Sequence, residues 1–152
     1  MRIFSLLVLL MALLVIGCGG SKLPKTYAVT GVVTLNDKPL EGADVVLVPS
    51  DPKLRSAGGV TDAEGRFTVK TYFDPRNQIP GAMTGEYGVA VTKVEKRNVS
   101  ADLKPEDAMA QTMKMGQAKS LIPKKYNSPT TSGFKVSVGT SAPSPLKLDL
   151  KS

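Results

Sequence analysis

Short runs of alternating apolar and polar residues cover most of the chain, and turn-forming residues separate them. Within residues 27–35, Val29 and Val33 stand on one side and threonines on the other, which is the pattern of a half-buried strand. The run from Ala43 to Val48 is nearly all apolar and predicts a central strand that is buried on both faces or nearly so. The same reasoning predicts five more strands, over residues 59–61, 67–70, 86–92, 134–138 and 146–150.

Glycine, proline, asparagine and aspartate mark the connections between these strands. Residues 36–39 predict a turn, and residues 72–85 are rich enough in Pro and Gly to predict a loop. Asp62 and Gly65 bound a tight structural turn, in which the Asp62 carboxylate accepts hydrogen bonds from backbone amides and Gly65 supplies a positive φ. Seven short strands with frequent turns predict an all-β chain folded as a β-sandwich.

The strand periods also predict which side chains face the core. Lys70 has the opposite parity to Phe67, so we expect it to face solvent. The side chains predicted to face inward are those of Val33, Val45, Leu47, Phe67, Val89, Val91, Phe134 and Val136.

Residues 94–120 interrupt the strand pattern and predict an insertion that is either a short helix or disordered. Pro105 and the acidic residues after it are typical of a helix start, and Met109 and Met113 would share one face of that helix. Thioethers also suit Cu(I), but three Met without His or Cys favour packing or spacing. A contact surface here would use Lys93, Lys96, Arg97, Lys104 and Lys114.

The amino terminus has the pattern of a secretory signal peptide. Arg2 precedes an apolar run from Ile3 to Ile16, and small Gly17 precedes Cys18. At about 1.5 Å per residue the run reaches only ~21 Å, too short for a ~30 Å bilayer core. A permanent transmembrane helix is therefore not expected. Cys18 is the only cysteine in the chain, so no disulfide can form within it.

Composition argues against most enzyme classes. The chain has no His, which removes Ser-His-Asp and Cys-His catalysis, His zinc sites and the commonest general base. No Gly-rich loop follows a strand and opens a helix, so nucleotide binding is unsupported. Asp62 and Glu64 could contribute to a Ca²⁺ site only if Asp51 or Asp74 joined them, so a structural turn is the preferred interpretation. We predict no catalytic residues, no bound metal and no cofactor.

Two sets of residues resemble known families. Val15-Ile16-Gly17-Cys18 resembles the lipobox of bacterial lipoproteins, which implies diacylglycerol on Cys18, cleavage before it and acylation of the new amino terminus. Residues 29–33, 38–45, 60–67 and 85–89 resemble the motifs of carboxypeptidase regulatory-like domains, and residues 122–134 resemble the tail of small lipoproteins with that domain. These resemblances imply a transthyretin-like, immunoglobulin-like sandwich, without implying a peptidase.

The expected organisation is therefore a signal peptide over 1–17, a lipidated flexible tether over 18–26 and one domain over 27–152. The formal net charge is +7, most of it in the carboxyl-terminal half. In an exported lipoprotein this charge would face anionic lipid headgroups or envelope polymers, or keep the surface soluble, and nucleic acid is not an expected partner. Gly after the Cys favours the outer membrane by the family rule for enteric bacteria.

Two classes of function remain open. One is a non-catalytic envelope module that supports or contacts other proteins; the other is a lipoprotein that binds a glycan or a metal ion. A contiguous patch of aromatic side chains such as Tyr27, Tyr72, Phe73 and Tyr126, or converging carboxylates, would favour the second class. A polar surface with an unpaired edge strand would favour the first.

Overall fold

The computed structural model describes residues 24–74, 77–95 and 118–152. Within these ranges the chain forms twelve β-strands and one short 3₁₀ helix, Lys124–Asn127. The strands are β1 (Thr26–Tyr27), β2 (Thr30–Leu35), β3 (Lys38–Pro39), β4 (Asp44–Pro49), β5 (Ala57–Val60), β6 (Arg66–Thr68), β7 (Lys70–Asp74), β8 (Asn77–Pro80), β9 (Ala82–Met83), β10 (Gly85–Thr92), β11 (Lys135–Val138) and β12 (Leu146–Leu150).

Two main sheets share one hydrophobic core, which gives a β-sandwich architecture as predicted. The six-stranded sheet is antiparallel and has the order β11-β10-β4-β5-β7-β8. In the second sheet β2 is central, with β12 parallel on one side and β3 and β6 antiparallel along the other. Strands β1 and β9 pair separately at the edge of this arrangement.

One continuous segment of chain contributes to both main sheets, and it changes sheet at Val69. The residues before it pair with β2, whereas the residues after it pair with β5. The Val69 N–H donates to the Val29 carbonyl oxygen at 3.1 Å, and the Val69 carbonyl accepts from the Gly81 N–H at 2.8 Å. Because Val69 is fully buried, the crossing point lies inside the core.

The core is built from the inward positions of both sheets, largely as the alternation predicts. Phe134 is the exception, because it is only half-buried and its ring stacks on that of Tyr126 at 5.6 Å between centroids. Lys70 is exposed, as predicted. The buried positions that confirm the predicted set are Val33, Val45, Leu47, Phe67, Val89, Val91 and Val136.

The prediction that the 43–48 run is buried on both faces is wrong. Burial alternates along β4, and the Val46 side chain is 37% exposed on the outer face of the six-stranded sheet. A continuous apolar run cannot by itself distinguish a strand covered on both sides from one whose outer face is apolar and uncovered.

The prediction of a loop over 72–85 is also wrong. This region contains the end of β7, the whole of β8 and β9, and the start of β10. Pro80 is tolerated because β8 is the edge strand of its sheet, where a missing N–H costs no ladder hydrogen bond. Gly81 (φ 93°) then turns the chain into β9.

Two further boundaries differ from the predictions. The strand predicted over 27–35 is divided into β1 and β2, and β1 begins at Thr26, inside the predicted tether. The predicted turn over 36–39 consists of Asn36 (φ 50°) and Asp37 (φ 65°), whereas the next two residues already form β3. Consecutive positive φ values are typical of a tight hairpin turn that matches the strand twist.

The two ends of the predicted insertion pair with each other. Val94 bridges Ser120, the Glu95 N–H donates to the Lys119 carbonyl at 3.0 Å, and the Leu121 N–H donates to the Lys93 carbonyl at 2.8 Å. We call this pairing of 93–95 with 119–121 the stem. Residues 96–117, with Met109, Met113 and the predicted helix, lie outside the described residues.

Candidate functional site

The predicted lipidation site and most of the predicted contact residues lie outside the described residues. These are Cys18, Lys96, Arg97, Lys104 and Lys114. No helix within 24–74, 77–95 or 118–152 is long and apolar enough to cross a membrane.

Lys93 is the one predicted contact residue that the structure describes. It is half-buried at the start of the stem, and its Nζ donates to the Glu41 carbonyl at 2.5 Å. This contact ties the stem to the connection between β3 and β4. Lys93 therefore has a structural role in addition to any contact that it makes with a partner.

The turn of Asp62 and Gly65 is held by a compact set of contacts. Asp62 Oδ1 accepts from the backbone N–H of Glu64 at 3.1 Å and of Arg66 at 2.8 Å. Arg66 Nε contacts Asp62 Oδ2 at 3.1 Å, and Arg66 Nη2 contacts Glu64 Oε2 at 3.0 Å. Gly65 has φ 74°, and a Cβ there would lie 2.4 Å from the Val33 carbonyl oxygen. Both the conformation and the close approach require glycine.

These contacts set the charge state of the turn. Desolvation acts to raise the pKa of Asp62, but hydrogen bonds from the Arg66 backbone and guanidinium outweigh it, so the pKa lies below its ordinary value. The pKa of Arg66 is raised, chiefly by its hydrogen bond to Asp62. The lowered pKa favours the ionised form of Asp62, and one cation, Arg66, contacts both the Asp62 and the Glu64 carboxylates.

The carboxylates considered for Ca²⁺ serve separate turns. Asp51 Oδ1 accepts from the Lys53 N–H at 2.9 Å, and Asp74 Oδ1 accepts from the Asn77 N–H at 3.0 Å. In the part of the chain that the structure describes, no three His, Cys, Asp or Glu side chains converge to hold a metal ion. Ca²⁺ needs six to eight oxygen ligands, so the described carboxylates form no cage for it.

The aromatic side chains considered for a glycan surface do not share one face. Tyr72 is 48% exposed on the outer face of the six-stranded sheet, whereas Tyr27 belongs to the small β1–β9 sheet. Tyr126 is buried, and its hydroxyl contacts the backbone of Lys151. Tyr87 points inward, its hydroxyl donates to the Met83 carbonyl at 2.9 Å, and burial raises its pKa.

Among the described residues, two grooves are open and have volumes of about 620 Å³ or more. One, of about 670 Å³, is lined by Val48, Gly88 and Pro129 with Glu86 and Lys135. The other, of about 620 Å³, lies beside Val60 and the Asp62–Arg66 pair and is lined also by Thr30, Val32 and Pro145. The first groove is lined also by Ser50 and Thr130, and the second has its charged groups, Asp62 and Arg66, paired with each other.

A third surface feature escaped prediction. On the outer face of the six-stranded sheet, Val46 and Val60, the latter 60% exposed, surround Gly58, and the Tyr72 ring lies beside them. We call Val46, Gly58, Val60 and Tyr72 the outer apolar patch. The sequence signal was the continuous apolar run of β4, which was interpreted as burial on both sides.

Comparison of the chain with protein-family models, with curated proteins and with solved structures finds no match.

Proposed function

We propose that the chain is an exported, membrane-anchored lipoprotein whose β-sandwich is a non-catalytic module for support or protein contact at the cell envelope. The observation that carries this proposal is Cys18, directly behind the apolar run from Ile3 to Ile16 and an Arg near the amino terminus. Two acyl chains hold a protein stably on a membrane because each buried methylene contributes about 0.8 kcal/mol. The outer membrane is the favoured location, and lipid is bound through Cys18.

The sandwich is proposed to be a transthyretin-like, immunoglobulin-like domain of the carboxypeptidase regulatory-like kind. Two of the resembling segments support this proposal, because the Asp62–Gly65 turn joins β5 to β6 and residues 85–89 open β10. The charged side chains of this turn, Asp62, Glu64 and Arg66, pair with one another, and this pairing supports a scaffold role better than a catalytic one.

The positions of the chain entry and of the stem support contact with partners away from the anchoring membrane. The chain enters through β1, which pairs with β9 next to the start of β10. The stem follows the other end of β10, eight residues further on, or roughly 27 Å at 3.4 Å per residue. A lipid on Cys18 would thus hold the entry end near the membrane, with the stem directed toward envelope proteins or anionic polymers.

Replacement of Cys18 by Ser tests the anchor. We expect Cys18→Ser to move the protein from the membrane fraction to the soluble exported fraction and to abolish incorporation of a labelled fatty acid. Ser21→Ala, three residues further on, is the matched control and should remain acylated and membrane-bound. A Cys18→Ser protein that stays on the membrane as tightly as the parent would show that Cys18 is not the anchor.

A further inference from the structure

The outer apolar patch has the composition of a contact surface. Val46, Val60 and Tyr72 are exposed and neighbouring, and a Cβ on Gly58 would lie 3.5 Å from the Tyr72 ring. Adjacent exposed apolar side chains on a soluble domain mark a site of interaction, and tyrosine is enriched in the centres of interfaces. Gly58 is buried beneath the Val46 and Tyr72 side chains, so these two side chains form the middle of the patch.

Two opposite charges flank this patch on the same face of the sheet. The strand register pairs Asp44 with Val60, and Gly58 with both Val46 and Lys70. Asp44 and Lys70 are thus two strand spacings and two residues apart, roughly 12 Å, with the patch between them. Across 24–74, 77–95 and 118–152, neither side chain makes an ion pair or a hydrogen bond with another described residue. Both charges are available to a partner.

We propose that the outer apolar patch is the contact surface between two copies of this chain. Their two-fold axis lies in the plane of the contact and passes between Val46 and Gly58. Asp44 of each copy then pairs with Lys70 of the other. In a two-fold interface, if residue i contacts residue j, then j contacts i. One acid and one base on opposite sides of an apolar centre meet this requirement. A partner of a single charge sign would be repelled by one of the two.

The size of the patch predicts a weak dimer. Three strands at about 4.8 Å spacing and three residue pairs along each give roughly 300 Å² per copy. Stable complexes bury about 800 Å² per partner, so this contact forms transiently at low concentration. Covalent trapping is therefore a better test than sizing of the free protein.

A cysteine near the proposed axis traps the dimer. Cells that express the full chain with Val46→Cys are treated with a membrane-permeant thiol oxidant, and disulfide-linked dimer is measured on a non-reducing gel. Two copies of residue 46 beside the axis lie close enough for a disulfide, which needs Cβ atoms about 3.5–4.5 Å apart. Lys147→Cys, exposed on β12 of the other sheet, is the matched control, and the parent gives the background from Cys18.

Charge reversal then tests the pairing of Asp44 with Lys70. In the Val46→Cys chain, Asp44→Lys or Lys70→Asp should lower the dimer yield roughly fivefold to tenfold, because two attractive contacts become repulsive. The double reversal restores both pairs and should restore the yield. The proposal is overturned if Lys147→Cys traps as much dimer as Val46→Cys, if the single reversals leave the yield unchanged, or if the double reversal does not recover it.

Discussion

Tyr126 and Lys151 are joined by two hydrogen bonds across the carboxyl-terminal side of the sandwich. The Lys151 N–H donates to the Tyr126 hydroxyl oxygen at 2.9 Å, and the Tyr126 hydroxyl donates to the Lys151 carbonyl at 3.3 Å. Tyr126 is buried and stacks on Phe134, so one side chain links the 3₁₀ helix, the approach to β11 and the end of β12.

Removal of this hydroxyl should therefore lower stability without disturbing packing. We expect Tyr126→Phe to reduce the free energy of unfolding by about 0.5–1.5 kcal/mol, since the ring remains while two part-buried hydrogen bonds to the Lys151 backbone are lost. Tyr72→Phe, at an exposed position on the outer sheet face, is the matched control and should change it little. Chemical denaturation of both variants measures the difference, and equal stabilities would contradict this role of the Tyr126 hydroxyl.

The strand register predicts opposite results at two nearby positions. Phe67 is 3% exposed, and Phe67→Ala should cost about 3–5 kcal/mol through lost burial and the cavity left behind. Lys70 is exposed, so Lys70→Ala should leave the unfolding free energy nearly unchanged. The denaturant midpoints of the two variants, each compared with that of the parent, measure these effects. Similar tolerance at the two positions would mean that the chain between β6 and β7 is one residue out of register.

Gly31 should not tolerate a side chain. A Cβ at this position would lie 2.5 Å from the Leu146 carbonyl oxygen and 2.7 Å from the Phe67 ring. Because one of these neighbours is backbone, the parallel pairing of β2 with β12 must shift to make room. We expect Gly31→Ala to destabilise the domain by about 1–3 kcal/mol. Gly139→Ala, which meets nothing within 4 Å, is the matched control, and a thermal shift no larger than that of the control would refute the clash.

Residues 96–117 should be replaceable as long as the stem is kept. The stem hydrogen bonds and the contact of Lys93 with Glu41 close the insertion at its base. Substitution of 96–117 by a five-residue Gly-Ser linker shortens the loop about fourfold and should stabilise the domain by about 1 kcal/mol through lower closure entropy. A replacement that also removes 93–95 and 119–121 should lose this gain. Failure of the stem-retaining variant to fold would mean that residues 96–117 cover core surface.

The Asp62 turn should contribute stability only above acidic pH. The pKa of Asp62 is lower in the folded protein than its ordinary value, so its contribution is fully present above about pH 4 and is lost as the pH falls through the folded pKa. We expect Asp62→Asn to be less stable than the parent at pH 7, with a difference that shrinks toward pH 3. Glu64→Gln, which loses only the Arg66 Nη2 contact, should show a smaller effect at both pH values. A difference that grows on acidification would contradict this linkage.

The parts of the fold that the sequence predicts are those that a local pattern of residues specifies. Alternation located Val33, Val89 and Val91 in the core because each lies on a strand long enough to show its period. It missed β8, which ends at Pro80, and β9, which follows Gly81, because composition alone treats Pro and Gly as breaks although edge strands tolerate them. It also could not show that Val46 faces outward, since that depends on which layer covers which side of β4.

The candidate sites also divide into those that a local pattern predicts and those that it does not. Asp62 and Gly65 were found because an Asx turn is specified by neighbouring residues, and the structure places their contacts within that turn. The proximity of Asp44 to Lys70 arises only from the pairing of β4, β5 and β7, and nothing in the separate segments indicates it.

The passage of a single backbone through both sheets at Val69 fixes how the two layers can move. If 66–68 slipped by one position against β2, Val69 would rotate out of the core and Thr71, whose hydroxyl now donates to the Gly81 carbonyl, would turn to solvent. The same slip would displace β7 against β5. Sliding of one layer would therefore disrupt the other, and we expect the two sheets to unfold together rather than one after the other.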